Sequence, residues 1–262
     1  MHESPETLLA PDEPPPFAEV RPHGTSNIVI VVDHASARIP RRLKDLGVPP
    51  AELQRHIAWD IGALAVALQV SEALDAPLIA QSYSRLVIDC NRDPNSATSI
   101  PTISEHTEIP GNFGLTTAQK AARRAEIFDP YHDRIRVLLD ARAAAGRPTI
   151  LVAQHSMTHL FKGSRREMHA AVLYNRDRRF AGRVLDGLSR EAGLVVAENQ
   201  PYFLSDATDY SIPEHGEKRG LPHVEIEIRQ DLLLREQGQQ EWGERLTRIL
   251  RDAGRALDVS DR

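Results

Sequence analysis

Side chains able to do acid–base or metal chemistry gather at the ends of three strand-like runs. Residues 222–231 (PHVEIEIRQD) alternate polar and apolar types. At the two-residue period of a strand, His223, Glu225, Glu227 and Arg229 share one face, and Val224, Ile226 and Ile228 share the other. Residues 27–34 (NIVIVVDH) run through five apolar positions into Asp33 and His34, and residues 149–156 (TILVAQHS) run into Gln154, His155 and Ser156. Ionisable groups at the ends of buried strands mark a site more often than a core. For residues 222–231 alone, a half-buried edge strand is the plain alternative.

Two imidazoles, one carboxylate and an open fourth position are the usual protein set of a catalytic zinc. His34 and His155 each end an apolar run, so both can project from one edge of a sheet. Asp60, in Trp59-Asp60-Ile61-Gly62 at a helix start, is the carboxylate candidate, with a helix N-cap or first-turn acid as its alternative role. A zinc hydrolase also needs a carboxylate to take a proton from the attacking water and pass it to the leaving amine. Glu227 and Glu225 are the candidates, unless they pair with Arg229 or with an arginine on a neighbouring strand. In residues 83–92 (YSRLVIDCNR), Arg85 precedes an apolar stretch and Asn91-Arg92 follow it. The planar fork of an arginine matches a carboxylate or polarises a carbonyl, so Arg85 and Arg92 are the substrate-facing cations and Asp89 a counter-charge. A purely structural Asp–Arg network is the alternative. Ser156 lacks a nucleophile elbow, and no phosphate-binding glycine loop occurs. His106, His132, His159, His169 and His215 read as surface or supporting groups, and Arg165-Arg166 as a solvated basic pair.

These groups need a frame, and strand and helix patterns alternate along the chain. Strands are expected at 27–33, 78–81, 85–90, 149–154, 169–174, 194–197 and 223–228. Helices are expected at 60–74, at 117–145 with a break or kink at Pro130, at 177–192 and at 240–256. That order predicts one three-layer α/β domain over residues 25–262. Residues 1–24, rich in proline and acids, read as a mobile leader and not a signal peptide. Three long connections, 93–115, 156–168 and 199–221, adjoin the polar strand ends, where an open α/β sheet places its site.

With 262 residues, 41% of them hydrophobic, the chain can bury a core. A net charge of −5 gives no reason to expect nucleic acid or an anionic membrane as partner. Cys90 is the only cysteine, so no intramolecular disulfide forms and a cytoplasmic location is expected.

Read in order, Asp33-His34-Ala35-Ser36 with Ile39-Pro40, Trp59-Asp60, residues 84–92 (SRLVIDCNR), Gln154-His155-Ser156-Met157 and residues 225–231 (EIEIRQD) resemble the N-formylglutamate amidohydrolase family, from about residue 27 to 255. The resemblance implies a zinc carboxypeptidase-like, phosphorylase/hydrolase-like αβα fold with a mixed central sheet. It implies a divalent metal, Zn2+ by preference, held by His34, Asp60 and His155. It gives Glu227 as catalytic carboxylate, Arg85 at the oxyanion, and Asn91 and Arg92 at a substrate carboxylate. The carboxypeptidase metal motif has glutamate three residues after its first histidine, where this chain has Ala37, so Asp60 takes that ligand position. The activity implied is hydrolysis of a small acidic N-acyl amino acid, N-formyl-L-glutamate first. A deacylase or carboxypeptidase on another acyl-amino acid, or a non-catalytic binding protein that keeps the fold, are the alternatives.

Overall fold

The computed structural model describes residues 7–260. The apolar runs become β1 (Phe17–Val20), β2 (Ile28–Val32), β3 (Leu78–Gln81), β4 (Ile150–Met157), β5 (Ala170–Leu173), β6 (Val196–Glu198) and β7 (His223–Arg229). They form one sheet in the order β1-β3-β2-β4-β7-β5-β6. Strands β3, β2, β4 and β7 are parallel, while β1 opposes β3 and β5 opposes β7. The sheet is therefore mixed. Every residue of β2, β4 and β7 is buried, as central strands covered on both faces require.

Helices α1 (Ala63–Leu74), α4 (Arg179–Ser189) and α5 (Glu236–Ser260) cover one face. Ile30, Val152, Val224 and Ile226 pack there against Val66, Phe180, Val184 and Leu246. The other face carries α2 (Thr117–Arg123), α3 (Asp129–Ala144) and the turn around Leu86–Ile88. Val29, Val31, Leu151 and Ala153 pack there against Leu86, Val87, Phe128 and Ile135. The three layers match the expectation.

Several local expectations are corrected. Residues 85–90 are a buried turn, not a strand: the Val87 N–H donates to the Ser84 carbonyl (2.9 Å) and the Leu86 N–H to Ser84 Oγ (3.1 Å). Ser84 thus closes a local turn that replaces any ladder. Of the expected mobile leader, residues 1–6 lie outside the described residues, and the rest is tied to the domain. β1 pairs antiparallel with β3, Leu8 is buried, and the Leu8 and Leu9 N–H groups donate to the Glu126 carboxylate. The helix expected at 60–74 starts at Ala63, because Gly62 holds a φ of 79° and a Cβ there would meet Leu233 Cβ at 2.4 Å. The break or kink expected at Pro130 takes the form of a π-helical turn at Arg124–Phe128 that leads into α3. Pro130 falls in the first turn of α3, where its missing N–H leaves nothing unpaired. Strand β4 runs on to Met157, so His155 lies within it and not beyond its end.

Behind the sheet, His132 and His215 stack with Nδ1 and Nε2 3.0 Å apart, while His132 Nε2 donates to the Cys90 carbonyl (2.8 Å). Burial holds His132 down at about 4 and His215 well below its usual range. Both imidazoles are neutral in the fold and titrate normally when unfolded. Their contribution is complete above pH 6.5 and lost as pH falls from about 6.5 to about 4, by about 3 kcal/mol for His132. Denaturant unfolding across that range should show the loss, and His132→Phe should flatten it.

Candidate active site

The parallel strands β2, β4 and β7 deliver the candidate residues to one end of the sheet. His155 and Glu227 are register partners across β4 and β7, and Glu225 pairs with Ala153. All three lie on the face opposite Ile226 and Ile228. The turn after β2 then brings the His34 ring to 5.0 Å from that of His155, edge to face. The Asp60 N–H donates to the His34 carbonyl (2.9 Å), which pins residue 60 beside the turn. Because Gly62 opens α1, Asp60 caps no helix, and its carboxylate is free for the site.

One donor atom each from His34, Asp60 and His155 lies within 4.8 Å of the others, and all three residues are buried. Asp60 Oδ2 is 2.8 Å from His155 Nδ1 and 3.4 Å from His34 Nδ1. Each ring has a carboxylate behind it. His34 Nε2 meets Asp89 Oδ1 at 2.7 Å, and His155 Nε2 faces Asp33 Oδ2 at 3.3 Å. A proton held on each Nε2 leaves both Nδ1 lone pairs aimed at the Asp60 carboxylate, the orientation a metal-binding imidazole takes from its supporting acid. Asp33 is itself fixed by the hydroxyls of Tyr131 (2.7 Å) and Ser211 (2.6 Å).

The electrostatics ask for a cation. Five buried carboxylates (Asp33, Asp60, Asp89, Glu225 and Glu227) surround the two imidazoles, with the Arg85 guanidinium set between Asp60 and Asp89. Against the cost of burial, the histidines hold Asp60 far below the usual carboxylate range and Asp33 at about 2. In turn, burial and Arg85 are outweighed by Asp89 and Asp60 at His34, which is raised; His155 is raised well above its ordinary value by Glu225, Asp33 and Asp60, against its burial. Burial pushes Glu225 up to about 8 and Glu227 up to about 7, the latter helped by Asp60. The Oε2 atoms of Glu225 and Glu227 are buried without a hydrogen-bond partner among the described residues. Two imidazoles and a carboxylate inside an excess of negative charge fit a divalent metal in donor type and in charge.

The two glutamates occupy different depths. Glu225 Oε2 sits 3.9 Å from His155 Nε2, on the Asp33 side of the ring. Glu227 lies on the side of Asp60 and Arg85 and lines the cleft. Neither pairs with Arg229, which is spent on Asp231 (2.8 Å) and on the carbonyls of residues 166–168. Arg85 is held by Asp89 through Nε (3.2 Å) and Nη2 (2.7 Å), leaving Nη1 3.6 Å from Asp60 Oδ1. Asn91 Oδ1 accepts the N–H groups of Tyr210 (2.9 Å) and Ser211 (3.0 Å), and its Nδ2 is 3.5 Å from Asp209. Arg92, 29% exposed, reaches the carbonyls of Asn91 and Thr208 and the Asp209 carboxylate (3.3 Å).

His34, Asp60, Arg85, Asp89, Asn91, Arg92, His155, Glu225 and Glu227 line a cleft of about 550 Å³, walled by the three long connections. Its walls add residues that sequence reasoning passed over: His56, Glu105, Phe161, Tyr202 and Asp209. No periodicity marks them, because they sit on turns and loops or, for Phe161, on a two-residue strand of a small hairpin. The adjacency of Asp33 to His34 was visible in the sequence, but its support of His155 needs the β2–β4 register. Arg165 is exposed as expected, whereas Arg166 is buried, a correction to the solvated-pair reading.

Comparisons with known proteins agree with this architecture. Gene product Atu2144 of Agrobacterium tumefaciens superposes with a TM-score of 0.92 at 36% identity, covering 96% of this chain and 99% of that one. The N-formylglutamate amidohydrolase of Ralstonia eutropha JMP134 shares the fold, with a TM-score of 0.71 at 22% identity, 91% of this chain and 97% of that one being covered. A comparison with curated proteins finds no match. No helix among the described residues is long and apolar enough to cross a membrane. The N-formylglutamate amidohydrolase family matches residues 26–234, most of the chain and every candidate site residue, and the protein belongs to that family.

Proposed function

We propose that the protein is a metal-dependent amidohydrolase that cleaves a small acidic N-acyl amino acid, N-formyl-L-glutamate first, to formate and the free amino acid. The observation that carries this reading is the convergence of His34 Nδ1, His155 Nδ1 and Asp60 Oδ2 beside a cleft-facing Glu227. These three atoms would hold the ion, zinc by donor chemistry, which would polarise the scissile carbonyl and acidify water. Glu227, with its pKa raised to about 7, accepts the proton of the attacking water and returns it to the departing amine. Arg85 Nη1 faces the same space and stabilises the oxyanion as the carbonyl becomes tetrahedral, a contribution of about 3–4 kcal/mol for a key donor. Asp89 holds the Arg85 fork in place while supporting His34. Arg92 receives the substrate α-carboxylate, with Asn91 contributing its Nδ2 and anchoring the third connection.

Arg92→Ala should raise KM for N-formylglutamate by about 10-fold or more, the scale of one lost charge-assisted hydrogen bond. Formamides without a carboxylate should be little affected, and equal loss on both would remove the clamp role. The reading as a whole is tested by a panel of N-formyl and N-acetyl amino acids assayed with and without zinc. Zinc-dependent release of formate is the expected result, and no hydrolysis of any member would exclude it. A cytoplasmic setting accords with the buried, unpaired Cys90.

A further inference from the structure

Among the arginines around the cleft, Arg166 differs from the rest. Arg85 is paired with Asp89, Arg92 with Asp209, and Arg55 with Glu52 and Glu105. Arg166 is only 7% exposed, and no carboxylate of the described residues pairs with it. Its guanidinium carbon lies 5.0 Å from the Phe161 ring centre and 4.8 Å from that of Tyr202. One Nη donates to the Thr158 carbonyl at 3.2 Å, and the Tyr202 phenol is its other polar neighbour. Thr158, Phe161 and Tyr202 all line the catalytic cleft, and Arg166 lies directly behind them.

A buried guanidinium without a counter-ion has lost its hydration without a matching charge to replace it. The two rings offset only part of this through cation–π attraction. They pack against the guanidinium carbon, and a carboxylate is gripped by the N–H groups around it. The charge is also felt at the cleft wall: burial, then Arg55, Arg85 and Arg166, hold the His56 imidazole below its ordinary value. A cation placed this way calls for an anion that none of the described residues supplies.

We propose that Arg166, framed by Phe161 and Tyr202, receives the side-chain carboxylate of a dicarboxylic N-acyl amino acid. The inference rests on the amidohydrolase reading and adds a specificity-determining residue to it. Arg92 then takes the carboxylate common to all amino acids, and Arg166 the one that separates glutamate from its neutral isostere. A site built around a buried charge rejects an analogue lacking the opposite charge, because the charge is then left unpaired.

The test compares kcat/KM for N-formyl-L-glutamate and N-formyl-L-glutamine in zinc-loaded wild type, Arg166→Met and Arg166→Lys. Wild type should prefer the glutamate substrate by about 100-fold or more, Arg166→Met should bring the ratio near unity through a rise in KM, and Arg166→Lys should keep an intermediate ratio. Loss on both substrates with the ratio preserved would overturn the proposal and leave Arg166 as a staple between two loops. Thermal melting identifies variants that fail to fold. Calorimetric binding of glutarate to wild type and Arg166→Met gives a second readout independent of turnover. Arg166-dependent glutarate binding without hydrolysis of any formyl amino acid would support the carboxylate receptor and sink the amidohydrolase reading. Hydrolysis together with Arg166-independent glutarate binding would do the reverse.

Discussion

Glu227→Gln is expected to lower turnover of N-formylglutamate by about 10³-fold while zinc content and melting temperature stay at wild-type values. Glutamine keeps the volume and one acceptor of the glutamate but takes up no proton, so the change isolates proton transfer, which is commonly worth 10²–10⁴-fold. Glu227 suits that work because burial and Asp60 raise its carboxyl to about 7, close to the operating pH, and because its Oε2 has no protein partner to release. Glu225→Gln is the control. Glu225 also lines the cleft but approaches His155 at Nε2, the ring nitrogen away from Asp60, so its loss should act through the imidazole, on zinc affinity more than on turnover. Normal turnover in Glu227→Gln, or a larger loss in Glu225→Gln, would reassign the proton carrier.

His155→Ala should abolish zinc binding at micromolar free zinc and with it all zinc-dependent hydrolysis. Removing one of three ligands leaves the Asp60 carboxylate with His34 alone, and a two-residue site competes poorly with water and buffer. A graded series sharpens the point. Asp33→Asn keeps every ligand and removes the charge behind His155 Nε2, so it should weaken zinc by about 10–100-fold, the usual effect of losing a supporting acid. Zinc Kd values from chelator competition would order the series as wild type, Asp33→Asn, His155→Ala. A wild-type Kd in His155→Ala would place the ion elsewhere.

Much of this site was legible before any coordinates because strands are written in a two-residue code. The runs at 27–34 and 149–156 announced buried strands that end in polar chemistry, and β2 and β4 pair side by side. The alternation at 222–231 put Glu225 and Glu227 on one face, and β7 keeps it. What escaped has physical reasons. The stretch at 85–90 is as apolar as a strand, but its hydrophobic residues fill the layer beside the sheet, and the Ser84 hydroxyl closes a turn that composition does not reveal. Asp60 reads equally as a helix cap, and the choice was made by one glycine at positive φ, which moved the helix start beyond it. Arg166 was passed over because a pair of arginines in a loop is ordinarily solvated; its burial comes from two rings on separate connections that meet only in the fold. Residues 7–24 were read as loose for their prolines, yet β1 alternates enough to pair at the sheet edge.

The account stands on one ion gripped by His34, Asp60 and His155, and X-ray absorption at the zinc edge of the loaded protein tests it most directly. It predicts a first shell of nitrogen and oxygen at about 2.0–2.2 Å with the multiple-scattering signature of two imidazoles, and loss of that bound zinc in His34→Ala. A shell without imidazole, or one unchanged by the loss of His34, would contradict it.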